Sequence, residues 1–185
     1  MKRPLFVLAV LLGVIGAPAT GPVEVHLRPM GQGRPQEGIG RGVIAAPPER
    51  VFRALVDVEH WHEFMPFLKA SDARTEKDGS ILSAQRLDLP FPLGERHYRI
   101  RLRSRVERET GWRVEWSFVP GSGNLTGLRG SWTLTAAPGG TLATCRLWTD
   151  AGVLPSLMDR ATEKSLPWIF DGLRQHVRRS RYDQP

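Results

Sequence analysis

The residues best able to bind a metal ion lie together near position 60. Two histidines and two glutamates stand within five consecutive positions: Glu59, His60, His62 and Glu63. Imidazole and carboxylate groups are common zinc ligands, but Pro66 closes a segment with the pattern of a short helical turn. Side chains two positions apart diverge on a helix, whereas in an extended segment both rings would share a face. We therefore predict no metal ion at this site, and no cofactor.

The single cysteine is the other group with reactive potential. Cys145 has no partner for an intrachain disulfide, and no base is recognisable beside it in the strand-like run 144–147. A lone thiol in such a run is typically a small buried hydrophobic side chain. The sequence also holds no nucleophile elbow, phosphate-binding loop or paired-cysteine motif, because Gly121 and Gly123 lack a strand-to-helix context. We predict no catalytic residue.

Residues 95–108 alternate between two kinds of side chain. One face is largely apolar and the other is basic: Tyr98, Ile100, Leu102 and Val106 against the arginine row of Arg99, Arg101, Arg103 and Arg105. This period of two predicts a strand with one buried face and one solvent-exposed face. Tyr98 could then orient a ligand through its hydroxyl. The arginine row is either a docking face for anionic lipid or, as we favour, an outer face paired with acids such as Glu115 and Asp88.

Strands of this kind fill the middle of the chain. Clusters of turn residues, such as those at 77–79 and 138–140, separate them. The predicted strands are 67–77, 80–90, 95–108, 112–119, 128–136 and 141–150, preceded by one at 38–46. Consecutive strands joined by short turns form an antiparallel meander, so we expect a sheet of about seven strands.

Helices flank this meander. A proline pair at 47–48 begins a helix that runs to about Val58, and the segment at 60–66 adds a second, short one. After the strands, apolar residues recur every three to four positions over 157–177, which predicts a long C-terminal helix. Pro167 either kinks this helix or begins a new one, and we expect the longer, more regular part to follow it.

The order of these elements resembles the helix-grip fold, an α+β architecture. The segment 44–61 looks like the opening of START-like proteins of the SRPBCC superfamily, which includes polyketide cyclases/dehydrases and lipid-transport and coenzyme Q-binding proteins. The segments 128–134, 152–158 and 165–174 are similar to the late strands and terminal helix of the same superfamily. The resemblance implies a curved sheet wrapped on the C-terminal helix. It also implies an apolar cavity between them for a lipid, sterol, isoprenoid or polyketide-like ligand.

Large apolar residues on the predicted inner faces are candidates to line such a cavity. Aromatic side chains also fill ordinary cores, and for a single tryptophan that is the commoner role. We expect the cavity to open near the loop at 121–127 and the helix start at 155–160. The cavity candidates are Trp61, Phe64, Tyr98, Ile100, Trp112, Trp116, Phe118, Leu128, Trp132, Met158, Ile169, Phe170 and Leu173.

The first residues predict export. Two basic residues precede an apolar run at 5–16, and Ala17-Pro18-Ala19 has the small residues of a cleavage site. The run is shorter than the roughly 20 residues of a membrane-spanning helix. We expect a periplasmic or secreted protein that is cut after Ala19. The expected division is a signal peptide at 1–19, a linker at 20–37 in which 23–27 could form an edge strand, and a ligand-binding domain at 38–182.

The basic character and the resemblance together suggest a function. The net charge of +7 suits plain solubility or transient contact with an anionic membrane surface better than nucleic-acid binding in an exported protein. The leading hypothesis is a non-enzymatic protein that binds or transfers a small hydrophobic ligand. The alternatives are a cyclase/aromatase-type enzyme, with Tyr98, Arg86 or His97 as acid–base groups, and a protein-interaction module. Alternation places His97 outside, and two or more converging ionisable groups would favour the enzyme.

Overall fold

The computed structural model describes residues 21–91, 93–107 and 111–183. The predicted signal peptide lies outside these residues. An eight-stranded antiparallel sheet, two α-helices and two 3₁₀ helices make up the described part of the chain. The predicted helix-grip architecture is confirmed, because the sheet curves around the long C-terminal helix and two short helices follow the second strand.

The sheet is a meander in which one pair of neighbours, β2 and β8, is not consecutive in sequence. Its strand order is β1-β2-β8-β7-β6-β5-β4-β3, so the six central strands of the chain pair in sequence and β2 joins the last of them. All seven neighbouring pairs are antiparallel. The strands are β1 (Glu24–Arg28), β2 (Glu37–Ile44), β3 (Leu68–Thr75), β4 (Ile81–Leu89), β5 (Gly94–Glu107), β6 (Gly111–Phe118), β7 (Gly127–Ala137) and β8 (Gly140–Asp150).

The eighth strand, β1, comes from the segment expected to be a linker. It lies at the edge of the sheet against β2, and polar contacts fix the chain that follows it. The backbone N–H of Gln36 donates to Asp159 Oδ1 at 2.7 Å, and the indole N–H of Trp148 donates to the Pro35 carbonyl at 3.0 Å. Of the two interpretations of residues 23–27, the edge strand is the one that the structure shows.

Two short helices connect β2 to β3. The helix α1 spans Pro48–Val56, and a 3₁₀ helix follows at Val58–Glu63. Pro48 occupies the first turn of α1, where a missing N–H leaves no hydrogen bond unmade. Val51, Ala54 and Leu55 are buried, and α1 contacts β6, β7 and β8. The helix thus covers one end of the apolar interior.

The helix α2 is continuous from Pro155 to His176, and a second 3₁₀ helix follows at Ser180–Tyr182. Pro167 lies inside α2 without dividing it, and the part before Pro167 is the longer one. The expectation that the longer part follows Pro167 is therefore wrong. Proline removes one backbone hydrogen bond, but the buried Leu166 and Phe170 on either side hold the helix against the sheet. No helix of the described residues is long and apolar enough to span a membrane.

Glycines on β2 allow α2 to approach the sheet closely. Gly38, Gly40 and Gly42 alternate along the strand, so all three face the helix. A Cβ atom at Gly38 would overlap Thr162 Cγ2, and one at Gly40 would lie 3.0 Å from the Phe170 ring. We call these three residues the glycine face. It removes the layer of side chains that would otherwise separate the helix from the strand.

The arginine row lies on the outer face of the sheet, where acids pair with it. Asp78, in the turn before β4, lies 3.1 Å from Arg103 and 3.8 Å from Arg101. Glu115 lies 3.5 Å from the last arginine of the row. The pairing that we favoured is confirmed. Glu115 is a partner as expected, and Asp78 takes the place expected for Asp88.

A larger residue at Gly38 is expected to destabilise the fold. Valine favours strands, but its side chain would push α2 away from β2. We expect Gly38→Val to lower the free energy of unfolding by about 2 kcal/mol, measured by urea denaturation. Gly21→Val is the control, because no atom lies within 4 Å of a Cβ added there, and it should stay within about 0.5 kcal/mol of wild type. Equal stability of the two variants would show that α2 does not need the glycine face.

Candidate functional site

A cavity of about 120 Å³ lies between the inner face of the sheet and the first half of α2. Strands β4 to β8 form most of its sheet side. The segment 65–68, which connects the 3₁₀ helix to β3, forms one end. The lining residues are Trp61, Met65, Pro66, Phe67, Leu68, Gln85, Leu87, Leu89, Tyr98, Trp116, Leu128, Cys145, Leu147, Thr149, Met158, Ala161, Thr162, Ser165 and Ile169.

Two tryptophans form the floor of the cavity. Trp61, from the 3₁₀ helix, and Trp116, from β6, meet edge to face with ring centroids 5.3 Å apart. The indole N–H of Trp61 donates to the Leu55 carbonyl at 3.1 Å. The Trp116 ring lies over Gly130, where any Cβ atom would overlap it. Gly130 therefore makes room for the ring, and both tryptophans are held in place by the surrounding structure.

Tyr98 and Gln85 supply polar groups on one wall. They are cross-strand neighbours on β5 and β4, and both are buried. The Gln85 amide donates to Ser71 Oγ at 3.3 Å, whereas the Tyr98 hydroxyl has no hydrogen-bond partner among the described residues. Burial raises the pKa of Tyr98 above its ordinary value. The hydroxyl therefore stays protonated and is available to a ligand oxygen.

No acid–base pair occurs among the described residues that line the cavity. Among the described residues that line it, none is Asp, Glu, His, Lys or Arg. Burial raises the pKa of the Cys145 thiol, so this group stays uncharged as well. The other acid–base candidates, Arg86 on β4 and His97 on β5, lie opposite each other on the outer face of the sheet, and both side chains are exposed. Nor does any group of three or more metal-ligand side chains occur within the described ranges.

Comparison with known proteins identifies the family. Residues 41–178, which are most of the chain, match the family model for polyketide cyclase/dehydrase and lipid transport. The chain belongs to this family. No curated protein matches its sequence significantly.

Solved structures share the START-like fold of this family member. A STAR-related lipid transfer protein from Xanthomonas axonopodis matches with a TM-score of 0.76 and 20% identity, over 85% of this chain and 94% of that one. The Zhui aromatase/cyclase from a Streptomyces species matches with a TM-score of 0.61 and 14% identity, over 83% and 95%. A START superfamily protein from Mycobacterium smegmatis matches with a TM-score of 0.60 and 16% identity, over 77% and 97%. The resemblance of the sequence to the START-like superfamily is confirmed.

The structure brings six of the thirteen cavity candidates to the cavity of this START-like protein. Trp132 instead packs on Phe170 with ring centroids 5.0 Å apart, and the loop at 121–127 contributes no lining residue. The six that line the cavity are Trp61, Tyr98, Trp116, Leu128, Met158 and Ile169. Those buried elsewhere are Phe64, Ile100, Trp132, Phe170 and Leu173, and those half-buried elsewhere are Trp112 and Phe118.

Sequence reasoning missed four parts of the lining: the segment 65–68 and residues of β4, β8 and α2 that were not among the candidates. Gln85, Leu87 and Leu89 alternate with polar residues along β4, and that period was a usable signal for an inner face. The segment 65–68 carried no such signal, because Pro66 indicates only where a helix ends. Its place at the cavity depends on how the chain folds back from the 3₁₀ helix into β3.

The mouth of the cavity lies between the segment 65–68, the end of β4 and α2. Met65, Phe67 and Leu89 line the cavity there and are partly exposed. Phe67 has a φ of 66°, which is unfavourable for a residue other than glycine. Its ring meets Trp168 of α2 with centroids 6.1 Å apart. We call Phe67 and Trp168 the mouth pair, since Phe67 is a partly exposed lining residue and the exposed Trp168 contacts it.

A chain of hydrogen bonds anchors the C-terminal end of α2. The Tyr182 hydroxyl donates to Asp57 Oδ2 at 2.8 Å and so accepts from His176 Nε2, also at 2.8 Å. Asp57 Oδ1 lies 2.7 Å from His60 Nδ1. On the other side, Glu63 Oε2 lies 3.6 Å from His176 Nδ1. His60 and the acids near it therefore hold the helix end, outside the cavity.

The stability of the fold is expected to decrease on acidification because of His176. Burial lowers the pKa of His176 from 6.5 to about 4, an effect that the Arg181 charge increases and Asp57 opposes. Between these two values the unfolded chain binds the extra proton and the folded protein does not, so stability is lost as the pH falls. We expect a lower melting temperature at pH 5 than at pH 7, measured by calorimetry. His176→Gln, which cannot titrate, should show a smaller difference, and an equal difference would contradict this role.

Proposed function

We propose that this protein binds one small hydrophobic ligand in the cavity and carries it without changing it chemically. The observation behind the proposal is the lining, which is apolar and, among the described residues, carries no charged side chain. Acid–base catalysis needs a group whose pKa lies near the working pH, whereas Tyr98 and Cys145 are held uncharged. Ligand pockets are typically apolar with a few polar groups that fix orientation. The lining therefore favours binding over catalysis.

The chemistry of the lining favours an apolar ligand with one hydroxyl or carbonyl group. A sterol, an isoprenoid alcohol or a fatty acyl chain has this form. Burial of roughly 300 Å² of apolar ligand surface would contribute about 7 kcal/mol before the entropy cost of binding. The Tyr98 hydroxyl, beside Gln85, would then orient the polar end. Burial supplies the affinity and Tyr98 supplies the orientation.

The cavity must widen to admit a ligand of this size. Its volume of about 120 Å³ is below the roughly 300–1,000 Å³ of ligand pockets. Met65 and Met158 are flexible side chains that can repack, and the mouth pair can separate without breaking a hydrogen bond between its rings. We infer that loading moves Phe67 and Trp168 apart.

Filling the cavity is expected to weaken ligand binding. Ala161 lines the cavity from α2, so a tryptophan there would occupy the space. We expect Ala161→Trp to weaken the binding of a fluorescent fatty acid by at least about tenfold, measured by fluorescence titration. Lys164→Trp, on the exposed side of the same helix, is the control and should stay within about twofold. Equal affinities would mean that the ligand does not occupy the cavity.

Native mass spectrometry of the purified protein tests the proposal directly. A lipid or isoprenoid that co-purifies at one per chain would support carriage and would name the ligand class. Protein that is free of ligand and also takes up no member of a lipid panel would contradict the proposal. The enzyme and protein-interaction alternatives would then be favoured.

We further propose that the protein loads and unloads at a membrane after export. Three large apolar side chains are exposed in the turn after β4, just before α2 and on α2 itself: Phe91 at 97%, Leu154 at 68% and Trp168 at 53%. Such side chains mark an interaction surface, and a basic protein is attracted to anionic headgroups. The export part of the proposal rests on the N-terminal residues 1–19 alone.

Removing the exposed aromatics near the mouth is expected to slow transfer between vesicles. We expect Phe91→Ser with Trp168→Ser to lower the transfer rate of a fluorescent lipid from anionic vesicles by at least about fivefold, because less apolar surface enters the bilayer. Val106→Ser is the control, since Val106 is 63% exposed near the other end of β5. If the control slows transfer as much as the double variant, the mouth is not the surface that meets the membrane.

A further inference from the structure

A second concave site lies on the outer face of the sheet, opposite the cavity. This outer groove has a volume of about 460 Å³ and is bordered by six arginines from β1, β5, β6, β7 and β8. Ser131, in its base, is only 7% exposed. The arginines are Arg28, Arg101, Arg103, Arg113, Arg129 and Arg146.

The register of the strands explains why these arginines converge. Ser117 of β6 lies opposite Arg101 on one side and Arg129 on the other. On the next strand, Ser131 lies opposite Arg146. Neighbouring strands are about 4.8 Å apart, so each serine hydroxyl has a guanidinium on an adjacent strand. Small hydroxyl side chains thus form the base of the groove, and long cationic side chains form its border.

Acids near the groove neutralise only part of its charge. The carboxylates that border it are Glu37 and Glu115. Glu37 is shared by Arg28 at 2.6 Å and Arg146 at 3.8 Å, while Glu115 lies 2.6 Å from Arg113. Among the described residues, six arginines against these two carboxylates and Asp78, which pairs with Arg101 and Arg103, leave an excess of positive charge.

Arg129 is held in place without an acid. Its guanidinium stacks over the Trp148 ring at 5.2 Å from the centroid, and Trp148 is itself fixed by its hydrogen bond to Pro35. Among the described residues, the Arg129 guanidinium pairs with no carboxylate, and its only hydrogen-bond contact is with Met30 Sδ at 4.0 Å. Stacking on an aromatic ring orients a guanidinium while its N–H groups stay available. Arg129 is therefore preorganised to receive an anion.

We propose that the outer groove binds a ligand that carries two or more phosphate groups. Guanidinium groups match phosphate oxygens in a bidentate geometry, and serine hydroxyls can donate to the same oxygens. Without Arg28, the cations extend over the four adjacent strands β8, β7, β6 and β5, a span of about 14 Å, which is wider than one phosphate. The ligand is either a soluble oligophosphate or the head group of a phosphorylated lipid. A lipid tail in the cavity lies on the other face of the sheet, so this site does not depend on the proposed function.

Calorimetric titration with inorganic tripolyphosphate at physiological ionic strength tests the site. We expect saturable binding at one per chain, weakened at least about tenfold in the double variant Arg101→Gln with Arg129→Gln. The matched control is Arg74→Gln with Arg86→Gln, two exposed arginines on the same face but outside the groove. It loses the same charge and should change the affinity by less than about threefold. Absence of binding to wild type, or equal weakening in both double variants, would overturn the proposal.

Vesicle flotation distinguishes the two sources of phosphate. The probe is phosphatidylcholine vesicles that contain a minor fraction of phosphatidylinositol bisphosphate. Flotation that tripolyphosphate abolishes, and that the groove variant loses, supports the site with a lipid head group as its ligand. Tripolyphosphate binding without such flotation supports it with a soluble oligophosphate. If calorimetry detects no tripolyphosphate binding and the groove and control variants float equally well, the proposed phosphate site is contradicted.

Discussion

The contact between α2 and the glycine face of β2 determines the shape of the interior. Because Gly38, Gly40 and Gly42 have no side chains, the helix rests almost on the strand backbone there. Farther across the sheet, β5 and β6 present full-sized side chains such as Tyr98 and Trp116 on the same inner face. The helix is therefore in direct contact with one side of the sheet and spaced from the other. The cavity is the space that this difference in side-chain size leaves under the helix.

The two faces of the sheet have opposite chemistry, although they are built from alternate residues of the same strands. Trp116 of β6 lines the cavity, and its neighbour Ser117 lies in the outer groove between two arginines. In the same way, Leu128 faces the cavity and Arg129 faces the groove. Because the period of a strand is two, one short segment can supply an apolar pocket and a cationic groove only the thickness of the sheet apart. The proposed ligands of the two sites differ for this reason.

The described titratable groups at the C-terminal end of the long helix hold the fold together and do not line the cavity. Asp57, His176 and Tyr182 form a connected set at the C-terminal end of α2, and Arg50 adds a hydrogen bond from its Nε to the Val177 carbonyl at 2.5 Å. The C-terminal end of the helix is thus fixed, whereas the first half borders the cavity. This division suits a protein in which the mouth pair moves and the grip on the sheet stays constant.

The sequence by itself determined the order of the elements from β2 onward, the alternation of β5 and the outward position of His97, because these depend on the period of two and on local turn residues. It did not determine that α2 continues through Pro167, since burial of Leu166 and Phe170 on a distant strand outweighs the local effect of proline. Nor could it separate Trp116 from Trp132, which both face inward but only the first of which lines the cavity. An inward side chain meets either the helix or open space according to the distance between helix and sheet. Only the tertiary structure decided that distance, because the glycines of a different strand set it.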